Sequence, residues 1–120
     1  MNALPQQYPW FENMFDTIDS GSWKDLPRFF HPNVVYERPG YPPIEGLDAL
    51  LDFYGRIRII GEGKHTLDAA LRETDRAICW GHFNGRSKDG KILAERFADA
   101  YELKDGLIRK RTTFFFRAAI

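Results

Sequence analysis

Asp99 stands in an alternating stretch in which Leu93, Glu95, Phe97, Asp99, Tyr101 and Leu103 share one parity. Ile92, Ala94, Arg96, Ala98, Ala100 and Glu102 take the other. Successive side chains of a strand point to opposite faces, and the first set is the bulkier and more aromatic, so it is expected inside. A carboxyl group set between Phe97 and Tyr101 loses solvent. Desolvation raises its pKa and can keep the acid protonated, able to donate a hydrogen bond. Paired with Arg111 or Arg38, the same group would be an ionised structural bridge. Both readings stand on the sequence, because ordinary ion pairs also perturb carboxyl groups.

Two histidines could supply acid/base chemistry, since an unperturbed imidazole titrates at about pH 6.5. His82 shares a face with Ile78, Trp80 and Asn84, while Cys79, Gly81 and Phe83 face the other way. His65 shares a face with Leu67 and Ala69, behind a Gly-rich turn that would let Tyr54 and Arg58 approach. Tyr36 and Arg38 lie on one side of a short strand with Val34, where the planar Arg38 fork suits an oxyanion or pairs with Glu37 or Glu95. On the last strand Arg109, Arg111, Thr113 and Phe115 alternate with Ile108, Lys110, Thr112, Phe114 and Phe116. The candidate catalytic set is thus Asp99, His65, Tyr36 and His82. The candidate substrate contacts are Arg38, Tyr54, Arg58, Phe97, Tyr101, Arg111, Phe115 and Trp80. The three histidines have no clustered metal-ligand spacing, and no phosphate-cradling glycine loop occurs, so neither metal nor cofactor is expected.

The elements that must position these groups follow from periodicity. Trp10, Met14 and Ile18, with Phe11 and Phe15, recur at helical spacing up to Ser20-Gly21. Ser22 and Asp25 form a weak capping box for a second short helix with Leu26, Phe29 and Phe30 inward, ended by Pro32. Asn33 to Arg38 reads as a strand and Pro39 to Pro43 as a stiff loop carrying Tyr41. Gly46 opens a third helix with Leu47, Leu50, Leu51, Tyr54 and Ile57 on one stripe. After a turn at Gly61-Glu62-Gly63 the period becomes two. Strands are expected from His65 to Leu71, Ala77 to Arg86, Ile92 to Leu103 and Leu107 to Arg117. Lys88-Asp89-Gly90 and Lys104-Asp105-Gly106 have hairpin-turn composition. The reading is one α+β domain over residues 1–120, with 1–7 a flexible N-terminus and a four-strand antiparallel meander after the helices.

Of 120 residues, 43% are hydrophobic and 15% aromatic, enough for one core and an aromatic-lined cavity. Seventeen basic and seventeen acidic residues give a formal net charge of +0. That balance gives no long-range pull toward nucleic acid or anionic membrane. One cysteine excludes an internal disulfide framework. No apolar run approaches a membrane span, and Met1 to Tyr8 has no signal-peptide pattern, so a cytoplasmic location is expected.

Certain phrases carry a resemblance. They are Trp23-Lys24-Asp25-Leu26, Phe29-Phe30-His31-Pro32-Asn33-Val34-Val35-Tyr36, Ile44-Glu45-Gly46, and Phe97 to Ile108. Over roughly Tyr8 to Phe116 the chain resembles the nuclear transport factor 2-like superfamily, in its polyketide-cyclase-like (SnoaL-like) and ketosteroid-isomerase-like branch. The resemblance implies a cone-shaped curved antiparallel sheet wrapped around three N-terminal helices, open at one end. It places Asp99 where steroid isomerases of this fold hold an oxyanion-binding acid. It also puts Arg109, Arg111, Thr113 and Phe115 inside, where simple hydrophobicity would instead favour Ile108, Lys110, Thr112, Phe114 and Phe116. It also puts Arg38 where those isomerases keep their proton-shuttling carboxylate and Met14 near their phenol donor, so their allylic isomerisation is not expected. The epoxide-hydrolase positions of the fold fall near Trp80, His82 and Thr113, so that set is absent too. Dehydratases of the fold combine histidine, tyrosine and a carboxylate, which Tyr36, His65 or His82, and Asp99 would supply. The implied function is cofactor-free dehydration, cyclisation or isomerisation of a small apolar cyclic or polyketide-like molecule, and the alternative is a non-catalytic binding or interaction module. Both faces of the last strand are buried if the outer sheet face packs on a second copy, so a homodimer is expected.

Overall fold

The computed structural model describes residues 7–118. The expectation of a flexible segment over 1–7 falls outside that range, save for Gln7, which opens helix α1 (Gln7–Asp19). Phe11, Met14, Phe15 and Ile18 recur at three- and four-residue spacing and are all buried, so α1 lays one apolar stripe on the sheet.

The next segment, Trp23–Arg28, is a 3-10 helix, and Ser22 makes no side-chain capping bond. Ser22 Oγ lies instead 3.0 Å from Ser20 Oγ. Pro27 within the segment removes a backbone donor, so the expected capped helix does not form. Strand β1 (Phe30–Glu37) begins earlier than expected. Phe30 leaves the helix and pairs with Ile108, and the register resumes only at Val35, which leaves Pro32 in an irregular stretch without a ladder partner. A two-residue strand β2 (Ile44–Glu45) covers the outer edge of β1.

Helix α2 spans only Leu47–Asp52 and continues as a π turn over Phe53–Ile57, in which the Arg58 N–H donates to Phe53 O at 3.0 Å. The wider turn breaks the stripe. Tyr54 stays buried while Ile57, expected on the inner face, is exposed. Gly61 and Gly63 form no turn; they lie inside β3 (Ile60–Arg72), so His65 sits in mid-strand. Neither has positive φ, unlike Gly90 at φ 90° and Gly106 at φ 76° in the two hairpin turns. Strands β4 (Arg76–Ser87), β5 (Ile92–Lys104) and β6 (Leu107–Phe115) complete the expected meander.

The sheet has six strands in the order β2-β1-β6-β5-β4-β3. It is mixed, because β1 runs parallel to β6 while the other pairs are antiparallel. It curves over α1, α2 and the intervening turns in one α+β fold. The parity of β5 is as expected, with Leu93, Glu95, Phe97, Asp99, Tyr101 and Leu103 inward. On β6 the pairing passes from Glu102–Lys110 to Leu103–Ile108, so Arg109 is the extra residue of a bulge. A bulge switches parity. Ile108 and Arg111 are therefore both buried, and Arg109, expected inside, is exposed. No helix of the described residues is long and apolar enough to cross a membrane.

Candidate functional site

The interior of the curve holds a polar network built on Asp99, which is fully buried. Thr113 Oγ1 donates to Asp99 Oδ1 at 2.6 Å, and Tyr101 OH donates to Oδ2 at 2.8 Å. Arg111 donates to the same Oδ2, from Nε at 3.1 Å and from NH2 at 2.9 Å. Four donors on two oxygens describe an ionised carboxylate. The Asp99–Arg111 bridge of the sequence reading is therefore the one that forms. Burial works against the Arg111 cation, but Asp99 and the phenols of Tyr36, Tyr54 and Tyr101 outweigh it and raise its pKa well above the usual value. Burial, then the Asp99 charge, pushes the Tyr101 phenol well up. Cys79 Sγ lies 3.4 Å from the Tyr101 hydroxyl, and burial pushes its thiol up as well.

Proton directions follow from the network. Tyr36 OH and Thr113 Oγ1 are 2.9 Å apart. Thr113 has a single proton, committed to Asp99, so Tyr36 is the donor. Arg111 NH1 donates to Tyr54 OH at 2.7 Å, which leaves the Tyr54 proton to be given elsewhere. Burial raises the Tyr54 pKa, although Arg111 opposes it, so the phenol keeps that proton.

His65 is held from the other side of the cavity. Asp19, the last residue of α1, accepts from the His65 backbone N–H at 2.7 Å and lies 2.6 Å from His65 Nδ1. A carboxylate on Nδ1 fixes the proton there and leaves Nε2 with its lone pair. The imidazole stacks on Phe15 at 4.5 Å and meets Phe83 at 4.7 Å and Phe97 at 5.4 Å. Burial lowers its pKa, against the pull of Asp19, so the ring is neutral at neutral pH. Gly63 makes this packing possible: a Cβ there would stand 2.2 Å from the Phe83 ring.

Between these two groups lies a cavity of about 20 Å³, bounded by Ile18, Tyr36, Arg38, Tyr54, Arg58, Ile60, His65, Phe83, Phe97, Arg111, Thr113 and Phe115. That is room for about one or two waters. Arg58 lies over the rings of Tyr54 (5.0 Å) and Trp23 (5.5 Å). Arg38 is set among Tyr41, Phe53 and Phe115, at 5.4, 5.5 and 5.5 Å. A wider cleft of about 330 Å³ runs between α1 and β3 and shares His65 and Phe15 with the inner cavity. Its other polar groups, Glu12, Asn13, Asp16, Lys64 and Thr66, are exposed, so it offers no positioned chemistry beyond His65.

Eight of the sequence candidates thus line the cavity: Tyr36, Arg38, Tyr54, Arg58, His65, Phe97, Arg111 and Phe115. Asp99 and Tyr101 face inward but stand behind Arg111 and Thr113, outside the lining. His82 and Trp80 project from the outer face of β4. His82 Nδ1 is 3.4 Å from Asp68 there, with about half of its side chain exposed. Strand parity grouped these two correctly but did not say which face was inner; Gly81, Cys79 and Phe83 fill the inner one. Asp19 and Thr113 were missed as site residues. A signal for Asp19 existed, since a carboxylate in the last turn of a helix opposes the helix dipole and wants another partner. Among the described residues no three His, Cys, Asp or Glu side chains converge as metal ligands.

A curved mixed sheet that closes a polar cavity against N-terminal helices defines a small α+β pocket protein, and the comparisons agree. A family model of the SnoaL-like domain matches residues 11–111, and the chain belongs to that family. No curated protein matches the sequence. Among solved structures, a candidate SnoaL-like polyketide cyclase from Jannaschia sp. CCS1 is similar, with a TM-score of 0.79 at 12% identity over 97% of this chain and 91% of that one. TerC, co-crystallised with polyporic acid, has a TM-score of 0.75 at 15% identity over 85% of both chains. A ketosteroid-isomerase-like fold from Catenulispora acidiphila DSM 44928, in complex with trimethylamine, has a TM-score of 0.76 at 14% identity, covering 88% of this chain and 84% of that one. At these identities the likeness is one of fold.

Proposed function

We propose that the chain is a cofactor-free acid/base enzyme of the dehydratase, cyclase or isomerase type, acting on a small molecule with an apolar cyclic or polyketide-like body. The observation that carries this reading is His65, oriented by Asp19 through Nδ1 at 2.6 Å and set in the cavity wall. A largely buried imidazole backed by a carboxylate is a general base that can take a proton at Nε2 and return it. The proton would come from carbon next to a substrate carbonyl. Tyr54, whose proton is uncommitted, and the Arg111 guanidinium would stabilise the resulting enolate oxygen. Returning the proton to a β-hydroxyl completes a dehydration, and returning it to another carbon completes an isomerisation. Asp99 enters as the residue that positions Arg111 and Thr113, and Tyr36 as a link in that chain.

The test is solvent-deuterium incorporation, by NMR, into a panel of cyclic β-hydroxyketones and 1,3-diketones. Incorporation should be catalysed by the native chain and fall about 10²-fold or more in His65→Ala, with a smaller loss in Asp19→Asn. An undiminished rate in His65→Ala overturns the reading. The alternative, a binding module without catalysis, is favoured by the small cavity of about 20 Å³ and by the Asp99–Arg111 lock. Saturable binding of these compounds without exchange would select it.

The same reading includes a homodimer. Trp80, Ala98 and Phe114 lie directly across three neighbouring strands and point outward beside Ile78. A second copy supplies a matching apolar row under two-fold symmetry.

A further inference from the structure

The cavity lining carries three guanidinium groups, Arg38, Arg58 and Arg111, and no acid. Asp99 answers the charge of Arg111 at 2.9 Å. Arg58 is not answered in this way. It is only 6% exposed, and its Nε is buried without a hydrogen-bond partner. Its neighbours are the ring faces of Tyr54 and Trp23. A ring face attracts a cation but accepts none of the N–H groups that spread in the guanidinium plane. Burial disfavours the Arg58 cation and lowers its pKa, and an unpaired buried charge is among the more costly features a fold can carry. Methionine or leucine would fill the same space at less cost, yet the charge stands at the wall of a cavity.

We propose that this cavity receives the carboxylate group of its ligand, held by the Arg58 fork, with the apolar remainder lying along Phe97 and Phe115. The inference rests on the reading of the cavity as the substrate site and adds the charge and chemical class of what binds there. The fold itself does not choose that charge, since relatives of this fold carry an acid in one case and an amine in another. The side chains do. Guanidinium matches carboxylate and phosphate alike, but the aromatic walls of Phe83, Phe97 and Phe115 suit a carboxylate carried on an apolar body rather than a free, hydrated tetrahedral anion. The aromatic lining further suits a carboxylic acid with a ring or alkyl body, such as an aryl or alicyclic acid.

Calorimetric titration at fixed ionic strength with benzoate, with its neutral analogue benzamide and with inorganic phosphate tests this. Benzoate should bind saturably, about tenfold or more tightly than benzamide, and phosphate should not saturate. Arg58→Gln should lower benzoate affinity about tenfold and leave benzamide unchanged. Arg58→Lys, which keeps the charge and loses the fork, should fall between and covers the case in which Arg58→Gln does not fold. Benzamide binding as tightly as benzoate would overturn the carboxylate and leave the cavity reading intact. Phosphate binding more tightly than benzoate, or benzoate affinity unchanged in the Arg58 variants, would also overturn it. Binding of none of the three would overturn both readings.

Discussion

Asp99 and Arg111 are both almost wholly buried, and each has the other as its charge partner. Removing one charge of such a pair strands the other in a medium that solvates it poorly, at a cost of about 3–5 kcal/mol. Asp99→Asn should therefore destabilise the chain by about that amount in urea unfolding, whereas Asp99→Asn combined with Arg111→Met should recover most of it. A double variant no more stable than Asp99→Asn alone would show that the bridge is not the main role of either residue. His65 adds a pH dependence. Burial holds its folded pKa below that of the unfolded chain, so below about pH 6.5 the unfolded chain binds the extra proton more readily. Stability should fall as pH drops from there toward the folded pKa, and level off below it. His65→Gln should flatten that part of the pH profile of the thermal midpoint. An identical slope in both proteins would place the titrating group elsewhere. At this scale the sequence disclosed residue types better than roles. Parity placed Asp99 inside, but whether it stood alone or against Arg111 depended on β6, where the bulge at Arg109 shifts the faces. Asp19 and His65 lie 46 positions apart and are joined only by the docking of α1 on β3.

At the scale of elements, the contacts between β3 and β4 depend on glycines that do not turn the chain. A Cβ at Gly81 would lie 2.0 Å from the Thr66 carbonyl oxygen and 2.9 Å from the Leu67 Cα, both backbone. At Gly63 the obstacle is the Phe83 ring at 2.2 Å, a side chain. Side chains shift more readily than paired strands, so Gly63→Ala should cost about 1–3 kcal/mol and Gly81→Ala more. Urea unfolding of both variants gives the order. In Gly63→Ala the displaced Phe83 should also shift the His65 imidazole resonances, which share its ring current. Equal stability of the two variants would contradict the backbone clash at Gly81. These glycines explain one misreading. Gly61-Glu62-Gly63 has turn composition, yet the residues are extended, and what Gly63 accommodates, the Phe83 ring of the neighbouring strand, is invisible to local pattern. The meander and its two Gly-bearing turns were legible because alternation and positive-φ turns are local properties. The 3-10 segment, the π turn and the parallel pairing of β1 with β6 were not, since each is settled by distant packing.

At the scale of the whole molecule, the outer face of the sheet carries an apolar centre that the monomer leaves in solvent. Ile78, Trp80 and Phe114 are 42%, 39% and 56% exposed, and the small side chains of Ala98 and Ala100 lie between them in register. Polar and charged groups border this centre: His82 beside Asp68, and Arg86 3.9 Å from Glu62. An apolar middle with a rim of mixed charge is the anatomy of a protein–protein interface, and a patch on one open sheet face pairs most simply with its own copy about a two-fold axis. Sedimentation at micromolar concentration should accordingly give twice the 14.0 kDa of one chain. Phe114→Lys sets a charge in the middle of the row and should give a monomer. The inner cavity lies on the opposite face of the same strands, so benzoate affinity in that variant should stay within about twofold of the native value if the dimer only supports the fold. A native chain that sediments at 14.0 kDa would remove the dimer. A dimer that survives Phe114→Lys would move the contact off this face, most simply to the exposed edge formed by β3.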